Sequence, residues 1–325
     1  MFVHNAPLPA GNLRTLGKGE LWVRRSAPTI RGVNTELDRL LDAQGGVVTS
    51  AQALTYLTRR GLEADLKCGV LQQVWYGIYG RGELTDALRL RGLDLATGTT
   101  IAVCLSTAAA SYGFDTELDR HLHVLNPVGH QLRPTRGLVV HRRAGAPLTV
   151  VDGRPTTTPA WTAIEVARGL RRGRALATLD AALRSGTCEG GELRRVLKRH
   201  SGRRGVVAAR ELLELASPLA ESPMESEARL VMVDGGLPSP VLQYEIVDLS
   251  GETWRFDFAW PEYRVAAEYD GLDWHSGPDA FLRDRRRSVA VQDLGWVVIP
   301  IVAEDVRYRP VELVARIDRR LQRAA

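Results

Sequence analysis

Leu37, Leu40 and Leu41 recur at the spacing of one helical face, and Gly45-Gly46 stops that helix. Thr49, with Gln52 three residues on, has the form of a capping box and opens a second helix carrying Ala53, Leu54 and Leu57. Arg59-Arg60-Gly61 is expected to end it. A short third helix follows over about residues 63–71, and Val74-Trp75-Tyr76-Gly77-Ile78-Tyr79 reads as a strand closed by Gly80. Between 97 and 216 the periods mix. LSTAAASYGF is a small-residue helix ending at Gly113, HLHVLNP and GLVVHRR alternate as strands, and PAWTAIEVARGL and ALATLDAALRSG are helical. The last third begins with a helix from Ser222 to Val233. Strands VLQYEIV and TWRFDFAW follow, joined by a hairpin turn at Ser250-Gly251-Glu252; Pro261-Glu262 makes the next turn, before YRVAAEYDG. A helix over about 279–293, the buried strand GWVVIPIV and an amphipathic helix over 310–322 complete it. Residues 1–33 lack such patterning and read as a flexible arm, with Arg14, Lys18, Arg24 and Arg25 among Gly and Pro. The expectation is an α/β multidomain chain: arm 1–33, then units 34–96, 97–216 and 217–325.

Three short helices with tight turns and then a strand form the layout of a winged helix-turn-helix. Its third helix would enter the major groove of double-stranded DNA. Lys67, Gln72 and Gln73 are then candidates for base or phosphate contacts, Arg59 and Arg60 for the backbone, and Arg81 for the wing. Through LDRLLDAQGGVVTSAQAL and LQQVWYGIYGRG, this segment resembles the amino-terminal DNA-binding domain of AbiEi-type antitoxins. The resemblance implies a winged-helix protein that binds DNA, represses its own promoter and has a cognate toxin as partner. The element order of 97–216 also resembles the central domain of AbiEi-like proteins. His121, His123 and His141 invite a metal reading, since His-x-His puts both rings on one strand face. No Cys or carboxylate cluster nearby completes such a site in the sequence, so they read as surface or partner-facing histidines. The basic run from Arg194-Arg195 to Arg203-Arg204 suits phosphate or a solvated helix face equally.

Composition sharpens this picture. Residues 1–216 hold 30 Lys and Arg against 19 Asp and Glu, whereas 217–325 hold 13 against 19. A basic body suits a polyanion, because neutralising phosphates releases counterions; the acidic last third would repel it unless its carboxylates have another task. Arg supplies 40 of the 43 basic residues, which a GC-rich coding sequence would also produce. Cys68, Cys104 and Cys188 are scattered, against both a disulfide framework and a zinc site. With no signal-peptide pattern at the amino terminus and no apolar run long enough to span a bilayer, the chain reads as soluble and cytoplasmic, with no membrane partner.

In the last third, Asp257 lies between Phe256 and Phe258, so strict alternation would turn it away from both. Glu268 and Asp270 are two apart on the next strand and share a face. Clustered hard oxygen donors suit Mg²⁺ or Mn²⁺, which keeps several waters and takes substrate phosphate; such an ion would activate water. His275 follows as a general acid/base or phosphate contact.

The element order α-β-β-β-α-β-α is the core order of the restriction-endonuclease-like fold. SPMESEARL, RFDFAWP, AAEYDGLDWH, RDRRR and LGWVVIPI together resemble the PD-(D/E)xK nuclease superfamily, in its branch related to very-short-patch repair (Vsr) endonuclease. The resemblance implies Asp257 as central metal ligand, Glu268 as the (D/E) of the signature and Glu225 as the helix-borne carboxylate, with Glu227 as a substitute. Asp270 occupies the signature lysine position, and no lysine follows Lys198. The repair-endonuclease branch also lacks that lysine and uses downstream histidines, which His275 matches. Asp284, Arg286 and Arg287 would pair with the site or with DNA phosphate. Two functions follow: a DNA-binding protein with a Mg²⁺-dependent, Vsr-like endonuclease domain, or a non-enzymatic AbiEi-like antitoxin and repressor with a degenerate nuclease fold.

Overall fold

The computed structural model describes residues 35–117, 119–142, 145–271 and 278–324. The arm and His275 lie outside them. Helix α1 (Thr35–Ala43), strand β1 (Val47–Thr49), α2 (Ser50–Tyr56), α3 (Arg59–Lys67), β2 (Gln72–Trp75) and β3 (Ile78–Gly80) form the first unit, with an antiparallel sheet ordered β1-β3-β2. The Thr49–Gln52 capping box is present. Arg59 and Arg60 begin α3 rather than end α2, because the Thr58 side chain accepts the Gly61 N–H at 3.1 Å and caps the new helix. The single strand expected at 74–79 is a hairpin turning at Tyr76-Gly77, which moves Gln72 and Gln73 from the neighbourhood of the third helix onto β2.

Helix α4 (Asp86–Thr97) serves two cores. Leu90 and Leu93 pack with Ile101, Val103 and Leu122, while Leu88 and Leu95 close over Val47, Val74 and Ile78. At Gly92 a Cβ would lie 3.1–3.2 Å from Trp75, Ile78 and Val74, so the helix approaches the first unit closely. Next come α5 (Leu105–Ser111), β4 (Leu122–Leu125), β5 (Leu138–His141), β6 (Leu148–Val151), β7 (Arg154–Thr157), α6 (Pro159–Ala167), α7 (Arg172–Arg184), α8 (Gly190–Arg199) and α9 (Val206–Leu215). Strands β4 and β5 are parallel, and β6 and β7 make an antiparallel hairpin. Helices α5 to α9 enclose an apolar core centred on Ile164, Leu176, Leu179 and Leu193.

The last unit contains α10 (Pro223–Asp234), β8 (Val241–Val247), β9 (Thr253–Trp260), β10 (Val265–Tyr269), α11 (Pro278–Asp293), β11 (Val297–Ile301), α12 (Ala303–Tyr308) and α13 (Pro310–Ala324). Its sheet runs β11-β10-β9-β8, with β10 and β11 parallel and the other pairs antiparallel. One face packs Phe258, Val265 and Ala267 with α10, α12 and α13; the other packs Phe256 and Ala266 with Val291 of α11 and Trp296. Helix α10 contributes Ala228 and Met232 to this unit but Leu230 to the core of α5–α9. No described helix is long and apolar enough to cross a membrane.

Candidate functional site

The carboxylates singled out in the last unit come together where strands β9 and β10 part. Their ladder pairs Val265 with Trp260, Ala266 with Ala259 and Ala267 with Phe258. One step on, the Asp257 carboxylate takes over, accepting the Tyr269 N–H at 2.9 Å. Phe256 and Phe258 enter opposite cores, so the expected common face of these two rings is corrected: alternation slips at Asp257. Across the sheet Gln243 has φ 49°, a left-handed value uncommon for a residue with a Cβ. Its amide nitrogen donates to Glu225 Oε2 at 3.1 Å, and the Glu221 N–H reaches the same oxygen at 2.9 Å. Neither Gln243 nor Glu221 was singled out from sequence; an unusual φ leaves no mark in an apolar pattern.

Burial raises the carboxyls of Glu225, Asp257 and Glu268 above their ordinary values; the Asp257 charge adds to the rise at both glutamates, and Glu221 adds to it at Asp257. Both Glu268 oxygens are engaged by Arg287 of α11, Nη1 to Oε2 at 2.8 Å and Nη2 to Oε1. Arg287 Nη2 also donates to the Arg255 carbonyl at 3.2 Å, and its guanidinium lies 5.6 Å from the Phe256 ring centre. A cavity of about 670 Å³ opens here, lined by Asp257, Glu268, Asp270, Asp284 and Arg287. Arg286 is exposed and lines a different cavity, with Trp254 and Asp248.

The donor set is one that Mg²⁺ accepts, but both oxygens of Glu268 are already held by Arg287. Mg²⁺ needs oxygens at about 2.0–2.1 Å in near-octahedral array. Among the described residues no three His, Cys, Asp or Glu side chains are grouped to hold a metal. Glu227, the substitute ligand, is 3% exposed and ion-pairs with Arg171 at 3.0 Å and Arg174 at 2.9 Å, so it fastens α10 to α7 instead.

In the first unit Arg59, Arg60 and Lys67 are exposed at the two ends of α3. Gln73 is exposed on β2, whereas the Gln72 amide is spent on the Gly82 carbonyl. Arg81 pairs with Asp38 at 2.8 Å and with Asp42, both on α1. In the middle unit Asp119, which sequence reasoning passed over, gathers the histidines. Its carboxylate meets His121 Nδ1 at 2.9 Å and His123 Nε2 at 2.7 Å, and accepts Ser106 Oγ–H at 3.1 Å. His123 Nδ1 is 2.9 Å from His141 Nε2.

Residues 101–215 match the AbiEi antitoxin C-terminal domain. Two uncharacterised proteins of Mycobacterium tuberculosis, from strains CDC 1551 and H37Rv, are each 55% identical to this chain over 268 residues, covering 82% of it and 98% of their own length. The chain belongs to their family, and its middle is similar to the AbiEi antitoxin C-terminal domain. That domain spans β4 to β7 and helices α5 to α9, the region in which the element order resembled the AbiEi central domain. The Asp119 network and the α5–α9 core therefore lie within the AbiEi domain, whereas the carboxylate cluster lies after it.

Proposed function

We propose that this protein is an AbiEi-like antitoxin that binds double-stranded DNA and represses transcription, with a cognate toxin as its protein partner. The observation that carries the reading is the AbiEi domain at 101–215, preceded by a helix–turn–helix arrangement with an antiparallel hairpin. In this reading α1–α3 and β1–β3 are a winged helix, α3 lies in the major groove, and Arg59, Arg60 and Lys67 meet phosphates. These three side chains are exposed and make no ion pair among the described residues, so no internal partner has to be given up. Arg81, tied to α1, orients the wing and contributes less.

The test is a fluorescence-anisotropy titration of the chain's own upstream DNA. Neutralising Arg59, Arg60 and Lys67 together weakens binding at least tenfold, and flattens the salt dependence by ~0.9 in log–log slope for each phosphate no longer neutralised. Binding unchanged in the triple variant refutes the assignment.

A second reading, the Mg²⁺-dependent Vsr-like endonuclease, is favoured by one observation: Asp257 lies close enough to both Glu225 and Glu268 for its charge to raise their carboxyls. It predicts metal-dependent nicking of supercoiled plasmid, abolished by Asp257→Ala and by Glu268→Ala. The antitoxin reading predicts no nicking and DNA binding unaffected by either change.

A further inference from the structure

We infer that Arg287 is the resident cation of the carboxylate cluster: its guanidinium stands where the nuclease resemblance calls for a divalent metal, and closes the site to one. The inference does not depend on the antitoxin reading. Glu268 is bound through both oxygens, the fork-on-fork geometry in which a planar guanidinium matches a carboxylate. A metal ion that needs Glu268 has to displace that fork.

The displacement is resisted on three sides. Arg287 and Val291 are one helical turn apart on α11, so they share a face. Val291 is buried against the sheet with Phe256, Ala266 and Trp296, which fixes where Arg287 emerges. The Arg255 carbonyl takes a further N–H, and the guanidinium carbon lies over the Phe256 ring. Glu268 is thus neutralised from within. Half-buried carboxylates require a counter-charge, and here the chain supplies its own.

The experiment is Mn²⁺ titration by calorimetry, with thermal unfolding, on the full chain and its Arg287→Ala variant. Wild type is expected to show no Mn²⁺ binding that depends on Glu268, and no shift in Tm with the ion. Arg287→Ala is expected to bind Mn²⁺ at least tenfold more tightly than wild type and to gain Tm with it. Adding Glu268→Gln to Arg287→Ala removes that gain. If Arg287→Ala does not fold alone, the inference predicts that Mn²⁺ or the second change Glu268→Gln restores its circular dichroism, since either relieves the unpaired carboxylate. The inference is overturned by wild type binding Mn²⁺ as tightly as Arg287→Ala, by a folded Arg287→Ala that gains no affinity, or by an unfolded one that neither remedy restores.

Discussion

Asp119 shows how one carboxylate can organise a surface. Burial acts to raise its pKa, but the N–H groups of His121 and the charge and hydrogen bond of His123 outweigh that and hold it below the usual carboxylate range. A carboxyl whose pKa is lowered on folding contributes stability above its unfolded value, and loses it as pH falls through the folded one. Asp119→Asn should therefore cost ~1–2 kcal/mol at pH 7, the scale of one or two charged hydrogen bonds. Urea unfolding should show the difference closing below about pH 4, the ordinary aspartate value; a gap that persists unchanged at pH 3 contradicts the electrostatic account. The His-x-His pattern was legible in the sequence, but the carboxylate that gathers it was not. Asp119 precedes His121 by two residues, outside β4, where strand alternation says nothing about direction.

Among elements, those with strong local signals were the legible ones. Strands β8 and β9 have the bounds that their alternation predicts, and the Thr49–Gln52 box starts α2 as expected. The β6–β7 hairpin went unread although it turns at Asp152-Gly153, a dipeptide that favours such turns, with φ 47° and 76°. Its strands, only four residues each, are too short to show a period. The short helix α12 escaped for the same reason. The start of helix α9 depends on a close backbone approach. Gly205 at its start has φ 82°, and a Cβ there would lie 2.1 Å from the Arg168 carbonyl oxygen at the end of α6. Gly205→Ala thus combines left-handed strain with a backbone clash, and should cost ~2 kcal/mol or more. A change under ~0.5 kcal/mol in chemical denaturation would show that the turn relaxes freely.

At the scale of the whole molecule, the units read from sequence are fastened to one another by residues that no local pattern exposes. Asp94 of α4 takes both guanidinium nitrogens of Arg154, at 3.0 and 2.6 Å. Arg229 of α10 reaches Asp180 of α7 at 2.6 Å, and both are buried. A buried pair is costly to break from one side. Arg229→Met should destabilise the chain by ~3–5 kcal/mol, and Asp180→Asn in the same chain should recover part of that loss. A double variant as unstable as the single one rules out charge as the cause. The last unit is thereby joined to the AbiEi domain. The carboxylates that gave the nuclease resemblance were legible from sequence, and so was Arg287 as a residue that would pair with the site or with DNA phosphate; its hold on both oxygens of Glu268 was not. The central claim is that this scaffold is a DNA-binding antitoxin, and the most direct measurement is anisotropy with the chain's own upstream duplex and a scrambled one of equal length. The account predicts at least tenfold preference for the upstream duplex, lost in the Arg59, Arg60 and Lys67 triple variant and kept in Asp257→Ala. Equal affinity for both duplexes, or binding indifferent to the triple change, would contradict it.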